Sequence, residues 1–231
     1  MKFLFLFLLG SFFSLTNLVA QEINQVDANG ERHGLWQKNY KGTSQLRYEG
    51  TFEHGKEIGT FKFYCEDCKK APMAVKEFEP NTAISDVKYY TPIGKLVSEG
   101  RMDGKKRIGE WLYYHKKSSK VMTSEFYKNG KLDGQKTTFY LNDVITEETT
   151  YIEGLKQGSN NYYSPEGILL KKLQYRNDVL VGSAIYYDAG GNISIEGTYK
   201  NGKKHGLWRY YKNGKVILEE IYPKPLKKTK N

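Results

Sequence analysis

Cysteine occurs only twice in 231 residues, at Cys65 and Cys68, and proline only six times. Two cysteines cannot build the framework of a small disulfide scaffold. With no second Cys pair, they also cannot supply four ligands to a structural zinc. No Gly-x-x-x-x-Gly-Lys-Ser/Thr loop is present, so the common nucleotide-phosphate cradle is missing. Beyond the first 20 residues there is no long apolar run of the kind a membrane-spanning helix needs. Gly or Pro interrupts the chain every ten residues or so, and no 3.6-residue pattern is sustained between interruptions, which disfavours helix throughout.

At the start, Lys2 precedes an apolar run over residues 3–9, and Leu18-Val19-Ala20 places a small residue before Gln21. This predicts a secretory signal over 1–20, cleaved near Ala20, and a mature chain that is secreted, periplasmic or held in the cell envelope. A retained anchor is the alternative, but Gly10, Ser11, Ser14, Thr16 and Asn17 break the run short of a span. The expected layout is a lead at 21–26, one repeat domain at 27–222 and a basic, disordered tail at 223–231. Formal charge is +10, or +9 once Lys2 leaves with the signal. That balance favours acidic partners such as anionic lipid, polysaccharide or nucleic acid, but many lysines sit at turns (Lys56, Lys105, Lys131, Lys203, Lys215), and a solvated, anti-aggregating surface is the preferred reading.

What the chain has in abundance is regular repetition. Gly34, Gly59, Ser85, Gly109, Gly134, Gly158, Gly182 and Gly206 mark eight units spaced 24 to 26 residues apart. Five positions after each marker stand Asn39, Tyr64, Tyr90, Tyr114, Phe139, Tyr163, Tyr187 and Tyr211; four positions after stand Lys38, Phe63, Tyr89, Tyr113, Thr138, Tyr162, Tyr186 and Tyr210. A period of this size marks a supersecondary unit that needs its neighbours to bury its face. Asn29-Gly30, His54-Gly55, Asp103-Gly104, Asn129-Gly130, Glu153-Gly154 and Asn201-Gly202 lie between short runs rich in Tyr, Thr, Val and Ile, and supply the positive φ of hairpin tips. A second turn follows each aromatic pair, as at residues 164–167 and 212–214. Two turns per unit give two strands, so the predicted fold is all-β: an elongated antiparallel ribbon of eight hairpins with aromatic ladders on both faces.

Residues 196–208, Glu-Gly-Thr-Tyr-Lys-Asn-Gly-Lys-Lys-His-Gly-Leu-Trp, resemble a MORN repeat, whose signature runs Tyr-Glu-Gly, a spacer, Asn-Gly-Lys and His-Gly. Residues 48–59 match almost as well, and 99–105 are a looser copy. The Tyr-Tyr after the marker is similar to the bacterial variant of the repeat, found in proteins often labelled antitoxin-like. The resemblance covers about 27–222. It implies a twisted antiparallel hairpin ribbon used for contact with protein or lipid and does not imply an enzyme; no cofactor is expected. The chain departs from the pattern at Ser85, and at Lys136 and Asn160, which replace the tryptophan seen at Trp36, Trp111 and Trp208.

Cys65 and Cys68 flank a tight bend, and a local disulfide is the first reading; a redox pair lacks the helix N-terminus that would activate it. His33 and His205 share one repeat position and read as packing residues, and no metal site is expected. Glu49, Glu77, Glu99, Glu125, Glu148, Glu196 and Glu219 recur at similar places on second strands, which suggests a ladder paired with cross-strand Lys or Arg rather than one acid/base pair. The expected contact residues are Trp36, Trp111, Trp208, Tyr114 and Tyr211. The expected function is a non-catalytic scaffold surface for a protein partner, with self-association reasonable. Anionic lipid or glycan binding and an antitoxin-like role are the alternatives, and no specific nucleic-acid partner is indicated.

Overall fold

Short β-prone runs closed by residues that accept left-handed backbone can pair locally, each strand with the next. That is the architecture found in the computed structural model, which describes residues 22–67 and 71–224. The signal expected at 1–20 and the tail from residue 225 onward lie outside the described residues. Among the described residues, eighteen strands form one open antiparallel sheet. They are β1 (Gln25–Val26), β2 (Arg32–Asn39), β3 (Leu46–Glu53), β4 (Lys56–Phe63), β5 (Ala74–Phe78), β6 (Ile84–Tyr90), β7 (Leu96–Asp103), β8 (Lys106–Tyr114) and β9 (Val121–Lys128). The second half comprises β10 (Lys131–Phe139), β11 (Ile145–Ile152), β12 (Leu155–Tyr163), β13 (Leu169–Arg176), β14 (Val179–Leu180), β15 (Gly182–Tyr187), β16 (Ile193–Lys200), β17 (Lys203–Lys212) and β18 (Lys215–Tyr222). Each strand pairs with the next, except that β14 and β15 both pair with β13 as one interrupted strand. Counting those two as one and setting β1 aside leaves sixteen strands, the eight expected hairpin units.

Three details differ from expectation. Of the lead expected at 21–26, the described residues 22–26 join the sheet: β1 pairs with β2 through Gln25 and Val26, and the Asn24 amide donates to the Leu35 carbonyl at 2.8 Å. At the β7–β8 tip, Asp103 pairs with Lys106, so the turn is Gly104-Lys105 rather than Asp103-Gly104. Only Gly104 has positive φ there, at 56°, which fits the mirror-image turn that wants glycine first. At Asn29-Gly30 only Gly30 has positive φ, at 78°, and the turn spans residues 27–31 because Val26 pairs with Arg32, whereas Asn129-Gly130 behaves as read, with φ of 52° and 84°.

The marker glycines have a job that periodicity alone did not reveal. Glu49 pairs with Lys62 but Thr51 with Ile58, so β4 spends four residues where β3 spends two. The same two-residue excess follows from the registers at β7–β8, β9–β10, β11–β12 and β16–β17. Glycine at φ near 62° in Gly59 and Gly109 makes the bulge possible. Because two residues are inserted, not one, every side chain keeps its face. Ser85 confirms the rule by exception: β5 and β6 pair in unbroken register from Ala74–Tyr89 to Phe78–Ser85, with no bulge.

Neighbouring tips are also tied together. The second turn residue donates its amide to a carbonyl one unit back: Gly55 to Arg32 at 2.9 Å, Gly130 to Arg107 at 2.9 Å, Gly154 to Leu132 at 2.7 Å and Gly202 to Leu180 at 2.9 Å.

Candidate binding surface

One row of residues runs straight across the sheet and holds its interior. On the marker strands it contains Trp36, Phe61, Val87, Trp111, Lys136, Asn160, Ala184 and Trp208. On the strands before them it contains Gly50, Lys76, Gly100, Glu125, Thr149, Leu173 and Gly197, as the pairings Trp36–Gly50, Lys76–Val87, Gly100–Trp111, Glu125–Lys136, Thr149–Asn160 and Ala184–Gly197 show. Phe61, Val87, Trp111, Asn160 and Trp208 are fully buried. Where the row holds a fully buried ring, at Phe61, Trp111 and Trp208, the preceding strand offers glycine. A Cβ on Gly50, Gly100 or Gly197 would stand 2.4, 2.5 or 2.2 Å from the ring of Phe61, Trp111 or Trp208.

The tryptophans are thereby locked in place. Trp111 Nε1 donates to the Arg101 carbonyl at 3.0 Å and Trp208 Nε1 to the Thr198 carbonyl at 3.2 Å, so neither buried N–H is wasted. A cation two residues before the marker covers each ring: Arg107 at 4.5 Å from Trp111 and Lys204 at 4.1 Å from Trp208. Trp111 and Trp208 are therefore core residues, which corrects their expected role as contact residues; the glycine opposite draws each indole down onto the backbone. Trp36 is half-buried, donates to the Gln25 carbonyl at 2.9 Å and lies under Arg32.

From unit 5 the row turns polar. Lys136 Nζ meets Glu125 Oε1 at 2.8 Å, with 33% and 10% of the two side chains exposed. Tyr127 donates to Glu125 at 2.6 Å, and Arg107 donates to Tyr113 and Tyr127 at 2.7 and 3.1 Å. One strand pair further on, the Asn160 amide donates to Glu147 Oε1 at 2.9 Å and to the Thr149 hydroxyl, while its own Oδ1 is buried with no hydrogen-bond partner among the described residues. Burial pushes the carboxyl pKa of Glu125 up, but hydrogen bonds from Lys136 and Tyr127 outweigh it and hold the group below its ordinary range. For Glu147, burial is likewise outweighed by Asn160, Tyr162 and Thr149.

On the opposite face, four of the tyrosines five positions after a marker reach back to a glutamate fifteen residues earlier; Tyr90 and Tyr187 have Val75 and Lys172 there instead. Tyr64 donates to Glu49 at 2.7 Å, Tyr163 to Glu148 at 2.9 Å, Tyr114 to Glu99 and Tyr211 to Glu196. Tyr114 and Tyr211, expected contact residues, are thus half-buried and tied to a carboxylate. Burial and these hydrogen bonds push the phenols of Tyr64 and Tyr114 up to about 12. Lys62, Lys88 and Arg209 stand beside Glu49, Glu99 and Glu196 as cross-strand cations. Glu125 does not belong to this ladder, contrary to expectation. It occupies the glycine position on the other face, and Ser124 holds the ladder place and accepts no tyrosine there; its hydroxyl donates to Glu110 at 2.6 Å.

Cys65 is disulfide-bonded; Cys68 lies outside the described residues. A cleft of about 820 Å³ opens beside the bulge-free unit, lined among others by Phe63, Phe78, Lys56, Lys76, Lys105 and Glu79. The far edge is the most apolar exposed element. In β18, Val216, Ile217, Leu218 and Ile221 are 48, 62, 49 and 70% exposed, and the strand pairs only with β17 among the described residues. This edge went unnoticed in the sequence, although Lys-Val-Ile-Leu-Glu-Glu-Ile-Tyr over residues 215–222 carries four aliphatic residues in eight.

No family model matches the chain, and no curated protein matches it. Among solved structures, a chain of the "Crystal structure of GtfA/B complex" aligns over 66% of this chain and 20% of its own, at 14% identity and a TM-score of 0.17. The chain thus spans about a fifth of that protein, and a likeness of this size shows neither shared fold nor shared function.

Proposed function

We propose that this is a non-catalytic hairpin-repeat protein of the MORN type, its bacterial, antitoxin-like variant, exported to the cell envelope and serving there as a scaffold for a protein partner. The observation that supports it most is the exposed, apolar edge of β18, which has no second partner strand among the described residues. An open strand edge offers backbone donors and acceptors to an extended segment, and its Ile and Val side chains add an apolar contact. The principal tryptophans and the Tyr–Glu ladder are engaged within the sheet, so the edge replaces Trp111 and Trp208 as the favoured contact. The deciding experiment is capture from the native envelope with wild-type protein and with Ile217→Lys/Ile221→Lys. A partner that survives high salt and is lost in the variant is the expected result; a partner held equally by both removes the edge from the reading.

The second reading, contact with anionic lipid or glycan, draws on the charge of +10. Binding of anionic vesicles or polysaccharide at low salt that disappears at high salt, with no retained protein, would favour it.

A further inference from the structure

Asp27, His33 and His54 come from three places in the chain: the turn after β1, the second residue of β2, and the tip of the β3–β4 hairpin. The fold brings one ligand atom from each within 4.8 Å of the others. His54 Nδ1 lies 2.6 Å from Asp27 Oδ2, and the His33 and His54 rings are 5.1 Å apart between centroids, tilted by 48°. An Asp–His ion pair accounts for two of these groups. It does not account for the third, since the His33 imidazole makes no hydrogen bond among the described residues and faces the other ring instead.

We propose that Asp27, His33 and His54 form a binding site for one divalent transition-metal ion of the zinc class, held by two imidazole nitrogens and one carboxylate oxygen, with water completing the shell. Imidazole donors select zinc, nickel or copper over magnesium and calcium, which want oxygen. Ligand atoms around tetrahedral zinc sit about 3.3 Å from one another at metal distances near 2.0 Å. The Asp27–His54 contact must therefore open by under an ångström and His33 close in, adjustments that partly exposed side chains make by rotation.

The backbone around the site is already fixed. Asp27 Oδ1 accepts the amides of Asn29 and Glu31 at 2.8 and 3.0 Å, which orients Oδ2 towards the histidines. His54 occupies the first turn position at φ 45°, and the Gly55 amide bonds the Arg32 carbonyl at 2.9 Å, next to His33. The Glu31 carboxylate lies beside Gly55, within 3.7 Å of where a Cβ there would stand, and adds negative charge near the site. A bound ion would clip the first hairpin tip to the second, at the end of the ribbon where β1 contributes only two residues. His205 shares the repeat position of His33 but belongs to no such group among the described residues, so it provides a built-in control.

The test is Zn²⁺ titration by calorimetry and Co²⁺ titration by visible absorption on the full chain. One ion per chain is expected, with affinity at least tenfold weaker in His54→Asn and in His33→Ala, and unchanged in His205→Ala. Asparagine at 54 preserves the turn, since Asn129 and Asn201 hold the same position at φ 52°. Failure of the wild type to bind either ion overturns the site, as does a His33→Ala/His54→Asn double variant that binds like the wild type.

Discussion

The hairpins that carry the markers of units 4 and 5, β7–β8 and β9–β10, have strands of equal length, eight and nine residues in each, and the same two-residue bulge. Their interiors are nonetheless opposite. Unit 4 stacks Trp111 on Gly100 beneath Arg107; unit 5 joins Lys136 to Glu125. The difference teaches that the ribbon constrains the sum of two facing side chains rather than the identity of either. Glycine accepts a ring, leucine at 173 faces alanine at 184, glutamate faces lysine and threonine faces asparagine. An apolar pair gains from burial without conditions. A charged pair repays its desolvation only while both partners remain.

The largest effect expected from this contrast is at the last aromatic unit. Trp208→Ala should cost about 4 kcal/mol, through lost burial and the cavity left behind. Gly197→Ala should cost about 3 kcal/mol, because its Cβ would stand 2.2 Å from the Trp208 ring. Urea unfolding measures both, and hydrogen exchange should show β16 to β18 opening first, since each unit contacts only its neighbours. Comparable protection loss across all strands would break the picture of independent units.

An intermediate effect is expected in unit 5. Glu125→Gly alone strands Lys136 and should cost about 2 kcal/mol, less than for a fully buried pair because Lys136 remains a third exposed. Adding Lys136→Trp rebuilds the arrangement of unit 4 and should restore at least wild-type stability in the same denaturant assay. A double variant weaker than the single one would mean that facing pairs are not interchangeable.

The smallest effects come from pH, and the two kinds of region should part at opposite ends. The carboxyls of Glu125 and Glu147 are held below their ordinary 4.5 in the folded chain, so their contribution is present above that value and is lost as pH falls beneath it. Glu49, whose carboxyl is also held low, is on the more exposed ladder face and should contribute less. The phenols of Tyr64 and Tyr114 are raised from 10.0 to about 12. Their contribution is complete below pH 10 and is lost between about 10 and 12, as the unfolded chain ionises first. Strand-resolved exchange should therefore show units 5 and 6 loosening in acid, and the Tyr–Glu ladder of units 2 and 4 loosening in alkali.

Much of this was legible. Asn-Gly tips, the period of the markers and the alternation of Trp208 and Tyr210 against Leu207 and Tyr211 all follow from turn chemistry and the two-residue repeat of a strand. The pairing of row residues was also legible in principle. Gly50 to Phe61, Gly100 to Trp111, Glu125 to Lys136, Thr149 to Asn160, Leu173 to Ala184 and Gly197 to Trp208 are each eleven residues apart. Read at that offset, glycine before tryptophan announces a buried ring, and Trp111 and Trp208 would have been placed inside. A second aromatic column at Tyr127, Tyr151, Tyr175 and Tyr199 keeps the same beat and was overlooked because it precedes the turn instead of following the marker.

By itself the sequence determined the strands, the turns and their order, because those depend on neighbours a few residues away. Only the tertiary structure decided what the markers are for, since a bulge exists only relative to the register of a second strand. It also decided which rings are covered, and that Asp27, His33 and His54 share one corner of the ribbon: burial and convergence belong to pairs of strands, and no single stretch of chain contains them.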